Sequence, residues 1–182
     1  MSPSRPSPLG LAAFALFLAC IPAANWLIGN VGTVCVPNGP CLIPVAPGLM
    51  APSGVLMIGA ALILRDVVQR LMGKAWSLAA IGAGAALSYA VAPPALVLAS
   101  GAAFLLSELA DFAVYTPLQR RRLLLAMVAA SAVGLVVDSV VFLHLAFGSL
   151  DFLAGQVVGK AWALLLAFPL VRLLRRIAPQ PA

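Results

Sequence analysis

The chain has 182 residues, of which 63% are hydrophobic and 9% charged, with a mean hydropathy of +1.10. Soluble domains carry about a quarter charged residues, so a water-soluble globular protein is excluded. The formal charge of +6 does not point to nucleic acid, because the basic residues sit at the ends of apolar runs without interleaved aromatics.

Six apolar runs approach the ~20 residues that cross a bilayer as a helix: roughly Leu9–Ile28, Ser53–Leu71, Trp76–Val91, Pro94–Tyr115, Leu123–Phe147 and Phe152–Leu174. They are rich in Leu and Ala and lack the alternating segments of ~10 residues that build a membrane barrel. The expected fold class is all-α, a polytopic membrane protein of six transmembrane helices forming one integral membrane domain over residues 1–182. The first run has some features of a secretory or lipoprotein leader, with Cys20 following Ala19. Phe17 and Leu18 suit a lipoprotein cleavage site poorly and only Arg5 precedes the run, so it is expected to remain as the first span.

Between the first two runs, Asn30–Pro52 carries no charge and five prolines, at 37, 40, 44, 47 and 52. Irregular backbone at membrane depth is tolerated where it is buried in protein or lines a cavity. The segment is therefore expected to fold back as a lid over the outer mouth, or else to form a proline-stiffened surface loop. Cys35 and Cys41 lie within it, where a disulfide is permitted, although spacing does not show geometry. Cys20, in the first run, is expected to be inert. The three cysteines fit no zinc or thioredoxin spacing.

Arg5 precedes the first span, Arg70 and Lys74 separate the second and third, Arg120, Arg121 and Arg122 separate the fourth and fifth, and Arg172, Arg175 and Arg176 close the sixth. The remaining connections contain no Lys or Arg. By the positive-inside rule the basic ends are cytoplasmic, and both termini with them. The expected location is the cytoplasmic (inner) membrane.

Four of the five acids, Asp66, Glu108, Asp111 and Asp138, fall inside the spans, with Arg65 and Lys160; Asp151 lies in a loop. A charge at the bilayer centre costs about 2.5–3.5 kcal/mol on insertion scales, so each is a functional candidate. At the helical rise, Arg65 and Glu108 both lie ~18–21 Å from the outer ends of their spans, and Asp138 and Lys160 both ~12–14 Å. Two opposite-charge couples at matching depths follow, Arg65 with Glu108 and Asp138 with Lys160. Glu108, Asp111 and Tyr115 share one helix face, as do Gln156 and Lys160. Trp162 and Tyr89 offer stacking surface or packing. Plainer roles stand beside these: Arg65 and Asp66, with Gln69 and Arg70, as a snorkelling stripe facing the cytoplasm; Asp111 solvated near Arg120–Arg122; the remaining pairs as structural salt bridges. His144 is expected at the interface.

Catalysis is not expected. Ser139 and His144 are five residues apart and point in different directions, no Gly-x-Ser-x-Gly elbow occurs, and neither Asp111 nor Asp138 has a Gly-x-Gly-Asp context. No His/Cys metal cluster is seen, and no cofactor or nucleic-acid partner is expected.

Ser107-Glu108, Asp111 and Tyr115-Thr-Pro-Leu, then Val137-Asp138-Ser139 with Phe142 and Ala146-Phe147, then Gln156 to Lys160, occur in this order, preceded by Ala24-Asn25 and Leu64-Arg65-Asp66. Together they resemble the queuosine precursor transporter family, also called the vitamin uptake transporter family. The chain is compact for that family, and its Pro/Cys-rich segment 30–52 looks like a subgroup feature. The resemblance implies import of 7-cyano- or 7-aminomethyl-7-deazaguanine. A carboxylate accepts two parallel N–H bonds from a guanine-like edge, so Glu108 is the first choice for that contact, with Asp111 or Asp138 second. Gln156 and Asn25 would read the remaining groups, Lys160 would hold Asp138 or approach a carbonyl, and Arg65 and Tyr115 complete the candidate set. Proton coupling through Glu108 or Asp138 is a further expectation. The partners are then a small-molecule base and the lipid bilayer, with a homo-oligomer left open. The alternatives are a substrate-capture subunit for a vitamin or nucleobase energised by a separate ATPase, and a structural membrane protein.

Overall fold

A computed structural model describes residues 7–37, 39–92 and 94–177. Arg5 lies outside the described residues, as do the side chains of Arg172, Arg175 and Arg176. Six helices appear in chain order: α1 (Pro8–Asn30), α2 (Val55–Met72), α3 (Lys74–Val91), α4 (Val97–Leu118), α5 (Leu123–Phe147) and α6 (Leu153–Ile177). Their starts and stops have local causes. Ser7 Oγ accepts from the Gly10 amide at 3.0 Å while Pro8 occupies the first helical turn, where a missing N–H costs nothing. Gly148, at φ 66°, ends α5 in the left-handed conformation that glycine adopts without strain.

Short links make the helices run up and down. The start of α1 lies against the end of α2, where Gly10 faces Met72, and the end of α1 lies against Gly54 at the start of α2. α4 packs along α5, α3 along α4, and α6 along α2 and α5. Apolar side chains such as Trp26, Leu98 and Leu166 point outward, whereas Arg65, Asp66, Glu108, Asp111, Asp138 and Lys160 point inward. This inversion of the soluble pattern is what a bilayer solvent favours.

One expectation needs correction. The chain is not purely helical: 34–52 holds a three-stranded antiparallel sheet, β1 (Val34–Cys35), β2 (Cys41–Ala46) and β3 (Leu49–Pro52), in the order β1-β2-β3. Gly48 supplies the positive φ of the turn between β2 and β3, and Pro44 sits at the bulge, one of the few sheet positions that spares its missing donor. Cys35 and Cys41 face each other across β1 and β2 and are joined as a disulfide. Among the described residues three of the six helices, α1, α4 and α5, are long and apolar enough to cross a membrane by length and composition. α2 and α3 have 18 residues each, and α2 carries Arg65, Asp66 and Arg70.

The sheet lies against α1 and α6. Gly155 brings α6 so close to the Met50 carbonyl that a Cβ there would overlap the oxygen, and Trp162 Nε1 donates to Val45 O at 2.9 Å. Deeper on the same helix, a Cβ at Gly59 of α2 would lie 2.7 Å from Ala163 Cβ and 2.9 Å from the Lys160 carbonyl. That approach sets the depth at which Lys160 enters the bundle. Gly59→Ala is expected to lower stability by about 1–3 kcal/mol through overpacking. Gly82→Ala, where nothing stands within 4 Å, should leave the thermal midpoint of the detergent-purified protein at or above that of the wild type.

Candidate functional site

The inward-facing polar side chains form two adjoining groups. The first is centred on Arg65. Its Nε donates to Glu108 Oε2 at 3.2 Å, Nη1 to Gln69 Oε1 at 3.0 Å, and Nη2 to Asp111 Oδ1, with Asp66 Oδ1 2.8 Å from the same Nη2. Gln69 passes the network on through Nε2 to Thr116 Oγ1 at 3.0 Å. The Phe112 and Tyr115 rings lie 5.9 and 5.5 Å from the guanidinium carbon, within cation–π range. All of Arg65, Asp66, Asp111 and Tyr115 are 0% exposed and Glu108 1%. The snorkelling stripe considered for Arg65 and Asp66 is therefore not formed, and Asp111 is not solvated beside Arg120–Arg122. The physical reason is the rotation of α2: it turns both charged residues onto α4, while Arg120, Arg121 and Arg122 remain exposed at the helix end.

The second group opens onto a cavity of about 60 Å³ lined by residues of all six helices, with Pro52 of the sheet at its wall. By volume it holds on the order of four waters, at 10–15 Å³ each. Lys160 Nζ makes three short bonds, to Asp138 Oδ2 (2.6 Å), Ser139 Oγ (2.7 Å) and Gln156 Oε1 (2.6 Å). An ammonium has three donors, so this one is saturated. Ser139 Oγ in turn donates to Leu135 O at 2.7 Å. Asn25 Nδ2 donates to Ile21 O at 3.0 Å. Among the described residues this leaves Asp138 Oδ1 and Asn25 Oδ1 as acceptors and the Gln156 amide nitrogen as donor at the cavity wall.

Both depth-matched couples thus form, Arg65 with Glu108 and Asp138 with Lys160. The eight sequence candidates divide, however. Asn25, Asp138, Gln156 and Lys160 line the cavity, whereas Arg65, Glu108, Asp111 and Tyr115 do not. The flat surfaces at the cavity belong to Phe104 and Phe142. Tyr89 and Trp162 are 65% and 49% exposed and point away. Ser88 and Ser100 also reach the wall and were not singled out from the sequence. A serine facing the same way as a helix's small, tightly packed residues would have been the available signal. Gln69 and Thr116 were likewise missed as a pair, since they lie 47 residues apart. His144 is exposed, as an interfacial residue would be.

Residues 88–174 match the family model described as "Putative vitamin uptake transporter". Over that stretch, just under half of its length, the chain is similar to the vitamin uptake transporter family. The match spans α4, α5 and most of α6, and so includes Glu108, Asp111, Tyr115, Asp138, Gln156 and Lys160. No curated protein and no solved structure gave a match. The match and, among the described residues, the three long apolar helices both point to a membrane transport protein.

Proposed function

We propose that this protein imports a queuosine precursor, 7-cyano- or 7-aminomethyl-7-deazaguanine, through the cavity beside Asp138. All six helices span the cytoplasmic membrane with both termini inside, since Arg70, Lys74 and Arg120–Arg122 belong to connections at one end of the up-and-down bundle. The observation that carries the substrate is the set of open groups at the cavity wall. A guanine-like edge presents adjacent N–H donors, which suit the free Asp138 oxygen and the Asn25 carbonyl. The Gln156 amide can donate to the ring carbonyl oxygen, and the Phe104 and Phe142 rings offer apolar faces to a flat base. Lys160, already saturated, holds Asp138 in place rather than binding the base. Glu108, first choice on sequence grounds, gives way to Asp138 because it is closed off behind Phe104 and bonded to Arg65.

Transport proceeds by alternating exposure: the cavity beside the sheet is one end of a path whose other end opens as α2 and α6 shift against α4 and α5. Cells unable to make the base should accumulate labelled 7-cyano-7-deazaguanine when they express this chain. Asp138→Asn, corrected for the amount inserted, is expected to lower uptake about tenfold to a hundredfold, the worth of a charged hydrogen bond of 1.5–3 kcal/mol. No accumulation by an inserted wild type would rule out the substrate. Uptake into liposomes holding only this protein would exclude dependence on a separate ATPase.

A further inference from the structure

Asp66 and Asp111 stand in a relation that ionised carboxylates do not tolerate. Both are 0% exposed, and Oδ1 of each lies against the same Arg65 Nη2, which crowds the two carboxyl groups together. A carboxylate only accepts, so two in contact repel unless a proton lies between them, as in paired catalytic aspartates. Asp66 Oδ1 is close to Arg65 Nη2 but out of hydrogen-bond alignment with it. Among the described residues Asp66 Oδ1, Asp66 Oδ2 and Asp111 Oδ2 consequently have no donor. A separate buried group points to the same place. The Tyr115 hydroxyl is fully buried without a partner, its ring lies over Arg65, and the charged groups around it are Asp66, Arg65, Arg70 and Asp111.

The charge count agrees. Three carboxyl groups surround one guanidinium, so full ionisation would leave two negative charges uncompensated in an apolar interior, and one shared proton removes one of them. A metal ion is a poor occupant, since Arg65 already stands between the three carboxyl groups and, among the described residues, no set of His, Cys, Asp or Glu is placed to hold one. We propose that Asp66 and Asp111 form a proton-binding site, sharing one proton that is released when α2 moves against α4 and Arg65 changes partners. The site would couple transport to a proton gradient, and in that respect it rests on the transport role proposed above. Its occupancy does not depend on any substrate.

The groups that face the pair are few. α2 brings Arg65 and Arg70, and α4 brings Glu108 and Tyr115. The Lys160 ammonium of α6 is taken up by Asp138 of α5. α1 has no titratable side chain except Cys20, and α3 has only Lys74 at its first position and the outward Tyr89.

Infrared spectroscopy of the purified full-length protein tests the proposal without a transport assay. At neutral pH the wild type should show the C=O stretch of a protonated carboxyl group, insensitive to sodium. That band should be lost in Asp66→Asn and in Asp111→Asn, each checked for a monodisperse elution profile, and retained in Glu108→Gln and in Asp151→Asn, which alters an exposed acid. Absence of the band from the folded wild type overturns the proposal. So does its loss in Glu108→Gln alone, or its disappearance with a rise in thermal midpoint on adding sodium chloride. Because the wild-type spectrum suffices for the first outcome, a variant that fails to fold does not rescue the idea. Failure of substrate uptake would leave this result untouched.

Discussion

Replacing Lys160 with Met is expected to destabilise the protein by about 3–5 kcal/mol, because Asp138 would keep its charge in the bundle without its partner. Uptake should fall with the amount of folded protein. The informative variant is the double neutral one, Asp138→Asn with Lys160→Gln. It removes both charges together, and the amides can still bond to Ser139 and Gln156, so most of the stability should return. Transport should not return with it, since the acceptor that Asp138 presents to the base is replaced by a weaker, partly donating group. A structural salt bridge alone predicts the opposite: recovery of uptake along with stability. Thermal midpoint and uptake, measured side by side on the wild type and these two variants, separate these outcomes.

The largest single effect is expected at Arg65. Arg65→Leu leaves Asp66, Glu108 and Asp111 clustered without their cation and deprives Gln69 of its donor. Breaking one buried pair costs about 3–5 kcal/mol, and here several contacts are lost at once. With total stabilities of about 5–15 kcal/mol, the variant should scarcely accumulate in membranes. Arg65→Lys keeps the charge but not the planar fork that addresses Glu108, Gln69 and the two aspartates in separate directions. It should accumulate, with stability lowered by about 2 kcal/mol. A wild-type thermal midpoint for Arg65→Leu would contradict the central place given to this side chain.

The depths of the charged residues were legible because helical rise converts sequence position directly into height. Arg65 with Glu108, and Asp138 with Lys160, follow from that conversion and both couples form. Rotation about each helix axis was not legible, because it depends on which neighbours pack where. Asp66 follows Arg65 and should point about 100° away from it on an ideal helix. The long Arg65 side chain joins them into one cluster, its guanidinium reaching Asp66 as well as Glu108 and Asp111 of α4. The same lack of rotational information exchanged Tyr89 and Trp162 for Phe104 and Phe142 at the cavity. Gly59 carried a usable clue, since a glycine inside an apolar helix often marks a close approach, and the face it lies on is the one that meets Lys160.

The sheet was hidden for a different reason. Its strands are 2, 6 and 4 residues long, too short for alternation to stand out, and its prolines argued against any ladder. A bulge at Pro44 and the disulfide across β1 and β2 are what reconcile them. The outcome lies between the two expectations for 30–52: ordered structure rather than loop, seated on α6 through Gly155 and Trp162 and contributing Pro52 to the cavity wall.

The placement of substrate beside Asp138 is tested most directly by determining the structure with 7-cyano-7-deazaguanine bound. The expected result is a base whose N–H edge meets Asp138, with Gln156 near its carbonyl oxygen and Phe104 or Phe142 against its face. A base held by Glu108 and Asp111, with Arg65 displaced from both and the Asp138–Lys160 cavity left closed, would contradict it.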